Sequence, residues 1–175
     1  MNEQETILFG IPVPSDNKLF LTIGVIHILL GIICELSGFA AMICRKGSSV
    51  HTLSVKIYYW GLLFVFTTVI PLSIMRWPHN NHLLVMGILS FLFAYLGWRL
   101  ARNPRPGWTC LHTIFMGSSY VVLLTAFYVD NGKNLPIWKK NLHELCRLGH
   151  WSPFDFVLAV FVLAVFILAI FVLAV

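Results

Sequence analysis

Four long apolar segments, separated by short polar or basic breaks, set the pattern of this chain. They run from about Leu19 to Cys44, His51 to Met75, His82 to Leu100, and Gly107 to Gly132. Each is long enough, at about 1.5 Å per residue, to cross a hydrocarbon core roughly 30 Å thick. The breaks are Arg45-Lys46-Gly47-Ser48-Ser49, Arg76-Trp77-Pro78-His79-Asn80-Asn81-His82, and the stretch from Arg99 through Arg102 and Arg105, which Pro104 and Pro106 interrupt. The pattern predicts an all-α membrane protein, a bundle of four transmembrane helices, with a fifth helix added at the C-terminus.

Within the spans, small and polar residues fall at helical spacing. Gly24, His27, Gly31, Cys34, Glu35 and Gly38 form a stripe on the first, and small residues let helix backbones approach closely. Gly87, Ser90, Ala94 and Gly97 form a packing stripe on the third. On the fourth, GWTCLHTIFMGSSYVVLLTAFYVDNG, the residues His112, Met116, Ser119, Tyr120, Leu123 and Phe127 share one face. The second span holds Tyr58, Tyr59 and Trp60 early and Thr67 and Thr68 beyond its middle. Pro71, near its end, is expected to kink it. Trp98 and Trp108 are placed as interface anchors.

The flanks read differently. Residues 1–18 form a tail with Glu3, Glu5, Asp16, Pro12 and Pro14, lacking the basic start of a cleaved leader, with Ile7-Leu8-Phe9 able to touch headgroups. Residues 19–132 are the four-helix bundle, and 133–155 form a polar connector whose part from Leu135 to Leu148 suits a surface amphipathic helix. Residues 156–175 repeat one pentapeptide as FVLAV, FVLAV, FILAI, FVLAV. Twenty apolar residues suffice for a span, but a period of five presents Phe all round a helix and defines no face.

Composition agrees with the membrane class. The 175 residues are 58% hydrophobic and 11% charged, against a quarter charged for a soluble domain. The net charge of +5 lies mostly in the short loops, where Lys and Arg set topology, so it is not a nucleic-acid footprint. The basic breaks after the first and third spans outweigh Arg76 after the second, which places the N-terminus outside. Lys133, Lys139, Lys140 and Arg147 in the connector argue the other way. Cys34, Cys44, Cys110 and Cys146 form no CxxC pair and no disulfide framework.

The candidate chemistry follows from that topology. His51 and His112 enter from one side at the starts of spans two and four, with Cys44 and Cys110 at the same level. Two turns deeper come Glu35, Tyr58 or Tyr59, and Ser119 or Tyr120. His27, Glu35, Tyr58, Ser119 and Tyr120 are therefore the intramembrane polar groups to place. Asp130 and Asn131 stand at the far interface. Glu35, the one acid well inside a span, is a functional candidate or a hydrogen-bonded helix tie.

Three uses of the histidines compete: axial ligation of haem b or a quinone-linked redox role, metal binding with Cys44 and Cys110, or capping and hydrogen bonding at the headgroup level. His79 and His82 form an HxxH pair without a third ligand nearby. No GxSxG, HExxH, Walker loop or paired-carboxylate pattern occurs, and there are none of the clustered histidine boxes of a desaturase iron site.

Several blocks together resemble a family of small bacterial multi-pass membrane proteins grouped as a domain of unknown function. They are Arg45-Lys46-Gly47, His51, Lys56-Ile57-Tyr58-Tyr59-Trp60, Arg76-Trp77-Pro78-His79, His112, Met116-Gly117, Ser119-Tyr120, and Leu124 through Gly132 (LTAFYVDNG). The resemblance covers about Ser37 to Trp138. The chain departs from the family pattern at Val55, where the family has glycine, and at Thr52, where a basic residue is usual. The resemblance implies a bacterial cytoplasmic (inner) membrane and no particular activity. Taken with the rest, the reading is an integral membrane protein without an evident catalytic motif, a small accessory or structural subunit of a larger membrane complex or homo-oligomer. The lipid bilayer is its surroundings, and a mono-haem electron carrier or a metal-binding protein is the alternative.

Overall fold

The computed structural model describes residues 6–8, 11–13, 18–77 and 80–131. Four helices dominate: α1 (Lys18–Ile43), α2 (Ser49–Met75), α3 (Asn81–Arg102) and α4 (Trp108–Asn131). All four are long and apolar enough to cross a membrane. Their ends fall within two residues of the boundaries that the apolar runs suggest. The expected fifth helix, the connector, Cys146 and the HxxH residue His79 lie outside the described residues, as do the side chains of Asp130 and Asn131.

The N-terminal tail contains a short antiparallel pair, β1 (Thr6–Leu8) and β2 (Ile11–Val13). The register is Thr6↔Val13, Ile7↔Pro12 and Leu8↔Ile11.

The chain divides into two compact units, residues 1–84 and 85–175. In the first unit, α1 and α2 form a helical hairpin. Its turn follows from two local facts. Gly47 adopts φ +81°, which a side chain would disfavour, and Ser48 caps α2 by accepting the His51 amide at 3.1 Å. The buried line on α1 is Phe20, Cys34, Ser37 and Gly38, so the predicted stripe is right at Cys34 and Gly38. On α2 the buried residues include Ser54, Tyr58, Leu62, Val65, Val69 and Leu72. Pro71 lies inside α2, where its missing amide removes the helical donor to the Thr67 carbonyl.

In the second unit, α4 follows α3 after a turn in which Gly107 takes φ +77° and the Trp108 amide donates to the Arg105 carbonyl at 2.9 Å. The α3 stripe is buried at Ser90, Ala94 and Gly97, as its spacing predicts. On α4 the buried positions are Ser119, Tyr120 and Val122. Phe127, assigned to that face from spacing, is 40% exposed. By angle Phe127 stays on that face, so the packed side of α4 ends along its length, before Phe127.

Candidate functional site

Each unit uses a histidine to tie its two helices together near the turn. The His51 imidazole Nδ1 lies 2.9 Å from the Ala41 carbonyl of α1. The His112 Nδ1 lies 2.8 Å from the Gly97 carbonyl of α3. A carbonyl oxygen only accepts, so Nδ1 carries the proton in both rings and the neutral tautomer is fixed with its lone pair on Nε2. The Trp108 ring sits 5.9 Å from the His112 ring, centroid to centroid, which further orients it.

Deeper in each hairpin a second polar contact follows. The Cys34 thiol, fully buried, donates to the Tyr58 carbonyl at 3.9 Å. In the second unit the Ser90 hydroxyl donates to the Ser119 carbonyl at 2.9 Å, with the Ser119 hydroxyl 3.4 Å away. Ser90 and Ser119 are both buried. Tyr58 and Tyr120 are buried too, so the candidates Tyr58, Ser119 and Tyr120 belong to the helix contacts.

The first unit has a third level. His27 Nδ1 lies 2.8 Å from the Thr68 hydroxyl, and Thr68 itself reaches the Val65 carbonyl at 2.9 Å. Thr68 was not singled out from sequence as a partner for His27, because only the α1–α2 register brings them together. Beyond it, the Arg76 guanidinium stands 5.5 Å from the Phe20 ring centroid and closes the far end of the hairpin by a cation–π contact. Glu35 is half-buried on α1.

Among the described residues, Cys44 and Cys110 do not join the histidines in a ligand set. Cys44 is half-buried and Cys110 exposed. Among the described residues, no group of three or more His, Cys, Asp or Glu comes together that could hold a metal ion. What these arrangements can do chemically is narrow: they hold two helices in register and leave imidazoles of defined tautomer near one end of each hairpin. No protein-family model, no characterised protein and no solved structure matches the chain.

Proposed function

We propose that this protein is a non-catalytic integral membrane protein, a small structural or accessory subunit whose polar residues close its own helical hairpins. The observation that carries this reading is the use made of the two candidate ligands. His51 and His112 each spend Nδ1 on a backbone carbonyl of the preceding helix. One level deeper, the buried hydroxyl of Ser90 and the thiol of Cys34 each donate to a backbone carbonyl of the following helix. In hydrocarbon, polar groups that bond across helices act as glue, and that accounts for these residues without a substrate.

The apolar perimeter supports the accessory role. Leu19, Leu29, Leu36, Phe39, Phe64 and Ile74 are all more than half exposed, as suits helices facing lipid and a neighbouring membrane protein. The resemblance to small bacterial membrane proteins and the basic turns after α1 and α3 support a cytoplasmic-membrane location with those turns inside.

One observation favours a second reading. A carbonyl on Nδ1–H is also how a ligating histidine is oriented in metal and haem sites, so an electron carrier binding haem through these imidazoles makes a different, simple prediction. Absorption spectra of the detergent-purified protein, oxidised and dithionite-reduced, separate the two. The structural reading expects a flat visible spectrum. A Soret band with sharp reduced-state bands, lost in His51→Ala or His112→Ala, would replace it with the haem reading.

A further inference from the structure

The two hairpins carry the same devices in the same order. With His51 set on His112, a step of 61, residues 51–66 (HTLSVKIYYWGLLFVF) align with 112–127 (HTIFMGSSYVVLLTAF). They share the His-Thr pair, Tyr59 with Tyr120, both leucines of Leu62-Leu63 with Leu123-Leu124, and Phe66 with Phe127. With the carbonyl partners Ala41 and Gly97 superposed, a step of 56, residues 30–42 (LGIICELSGFAAM) align with 86–98 (MGILSFLFAYLGW). Gly31, Ile32 and Leu36 recur as Gly87, Ile88 and Leu92, and Cys34 and Gly38 are met by Ser90 and Ala94.

The hydrogen bonds obey this alignment. His51 to Ala41 matches His112 to Gly97. Seven residues on, along both helices of each pair, Cys34 to the Tyr58 carbonyl matches Ser90 to the Ser119 carbonyl. The Thr52 hydroxyl donates to the Ser48 carbonyl at 3.0 Å, and Thr113 donates to the Thr109 carbonyl at 2.9 Å. Any antiparallel helix pair returns to the same contact line after seven residues, so that spacing is geometry. The sequence identities and the repeated donor chemistry at both levels are not.

We infer that the chain is a tandem duplication of one two-helix membrane module, closed near its turn by a histidine–carbonyl clasp. The turn is residues 44–48 in one copy and 103–107 in the other, so its length is unchanged. The offset grows from 56 to 61 because α3 runs three residues past the equivalent of Ile43, and α4 starts two residues before the equivalent of Ser49. The packing has also drifted in a compensated way. A Cβ on Gly97 would meet the Met116 side chain at 2.8 Å, and the equivalent positions in the first copy hold Ala41 and Val55. A Cβ on Gly61 would meet Cys34 Sγ at 2.8 Å, and the second copy has Val122, 2% exposed, with the smaller Ser90. The Cβ that one copy has no room for is present in the other, where the facing side chain lacks the sulfur. His51 and His112 thereby belong to the frame both copies share. His27, Thr68 and Glu35 have Leu83, Val129 and Phe91 as counterparts and are polar groups of the first copy alone.

Two double-mutant cycles in the full-length chain test this, read as the thermal unfolding midpoint in one detergent. Gly97→Ala lowers the midpoint by about 2 °C or more, the usual consequence of overpacking, and Met116→Ala, which removes the Cγ and Sδ that lie 2.8 Å from the new methyl, costs less in that chain than in the parent. That cycle calibrates the contact. The duplication stands on the second cycle, because it alone fixes which residues correspond. Val55→Met gives the first copy the second copy's residue and lowers the midpoint, and Ala41→Gly then recovers at least half of the fall. Purely additive losses in the second cycle, or no loss with Val55→Met, would overturn the correspondence. If the Val55→Met chain does not accumulate, Val55→Leu with and without Ala41→Gly poses the same contrast.

Discussion

The two histidine clasps are chemically alike, yet removing them should not cost the same. Ala41 lies two residues before the end of α1 at Ile43, so its carbonyl is among the last four, which have no amide donor within the helix. The His51 imidazole supplies one at 2.9 Å. Gly97 lies five residues before the end of α3 at Arg102, inside the regular helical ladder, and His112 adds a second donor to a carbonyl the helix already serves. His51→Leu therefore removes a hydrogen bond and also leaves a helix-end acceptor to find water, a loss of about 1–2 kcal/mol. His112→Leu removes only an interhelical bond, of the order of 0.6 kcal/mol in membrane helices. The Ser48 cap does not confuse the comparison, because it binds the His51 backbone amide, which leucine retains. A difference of about 1 kcal/mol is about a fivefold change in an equilibrium constant. Reversible unfolding in mixed micelles with increasing denaturing detergent resolves that. Equal losses, or a larger loss for His112→Leu, would refute the assignment of the Ala41 carbonyl as an orphan that the imidazole satisfies.

Further substitutions follow from the same kind of contact. Ser90→Ala should destabilise by about 0.6 kcal/mol in the same assay, while Ser119→Ala should cost less, because Ser90 bonds chiefly to the Ser119 carbonyl at 2.9 Å rather than to its hydroxyl at 3.4 Å; the reverse order would show that the hydroxyl pair matters more. Gly61→Ala places a methyl 2.8 Å from Cys34 Sγ and should lower stability by about 1–3 kcal/mol; combining it with Cys34→Ala, which removes the sulfur, should recover part of the loss, and a double variant worse than the sum of the two would count against the contact.

The spans were legible because twenty-odd apolar residues between basic breaks admit few other structures. The α3 stripe was legible too, since small residues at steps of three and four have little reason to exist except close packing. The polar groups were legible as residues but not as contacts. His51 and His112 bond to carbonyls, and a carbonyl belongs to every residue, so nothing in the letters Ala41 and Gly97 marks them as partners. His27 and Thr68 are forty-one residues apart, and only the packing register pairs them. The repeat escaped for a different reason. Lipid-facing positions exchange Leu, Ile, Val and Phe freely, and the two helices of the module need offsets of 56 and 61, so no single shift of the sequence on itself aligns both.

A membrane interior makes the remaining inference about these polar residues stronger than it would be in water. A buried hydroxyl or imidazole without a partner costs free energy in hydrocarbon that a short span cannot easily offset. Each such group must either be satisfied within its own hairpin or be held for a purpose. Ser90, Cys34, His51 and His112 are satisfied locally, by donors and acceptors that recur in both units. The bond between His27 and Thr68 joins two side chains and has no second occurrence at the equivalent residues, Leu83 and Val129. If closing the module were all that this level had to do, the apolar pair would serve the first copy as it serves the second. The polar pair therefore distinguishes the first hairpin from the second, and His27→Leu with Thr68→Val, the residues of the second copy, measures in the same assay what that bond contributes.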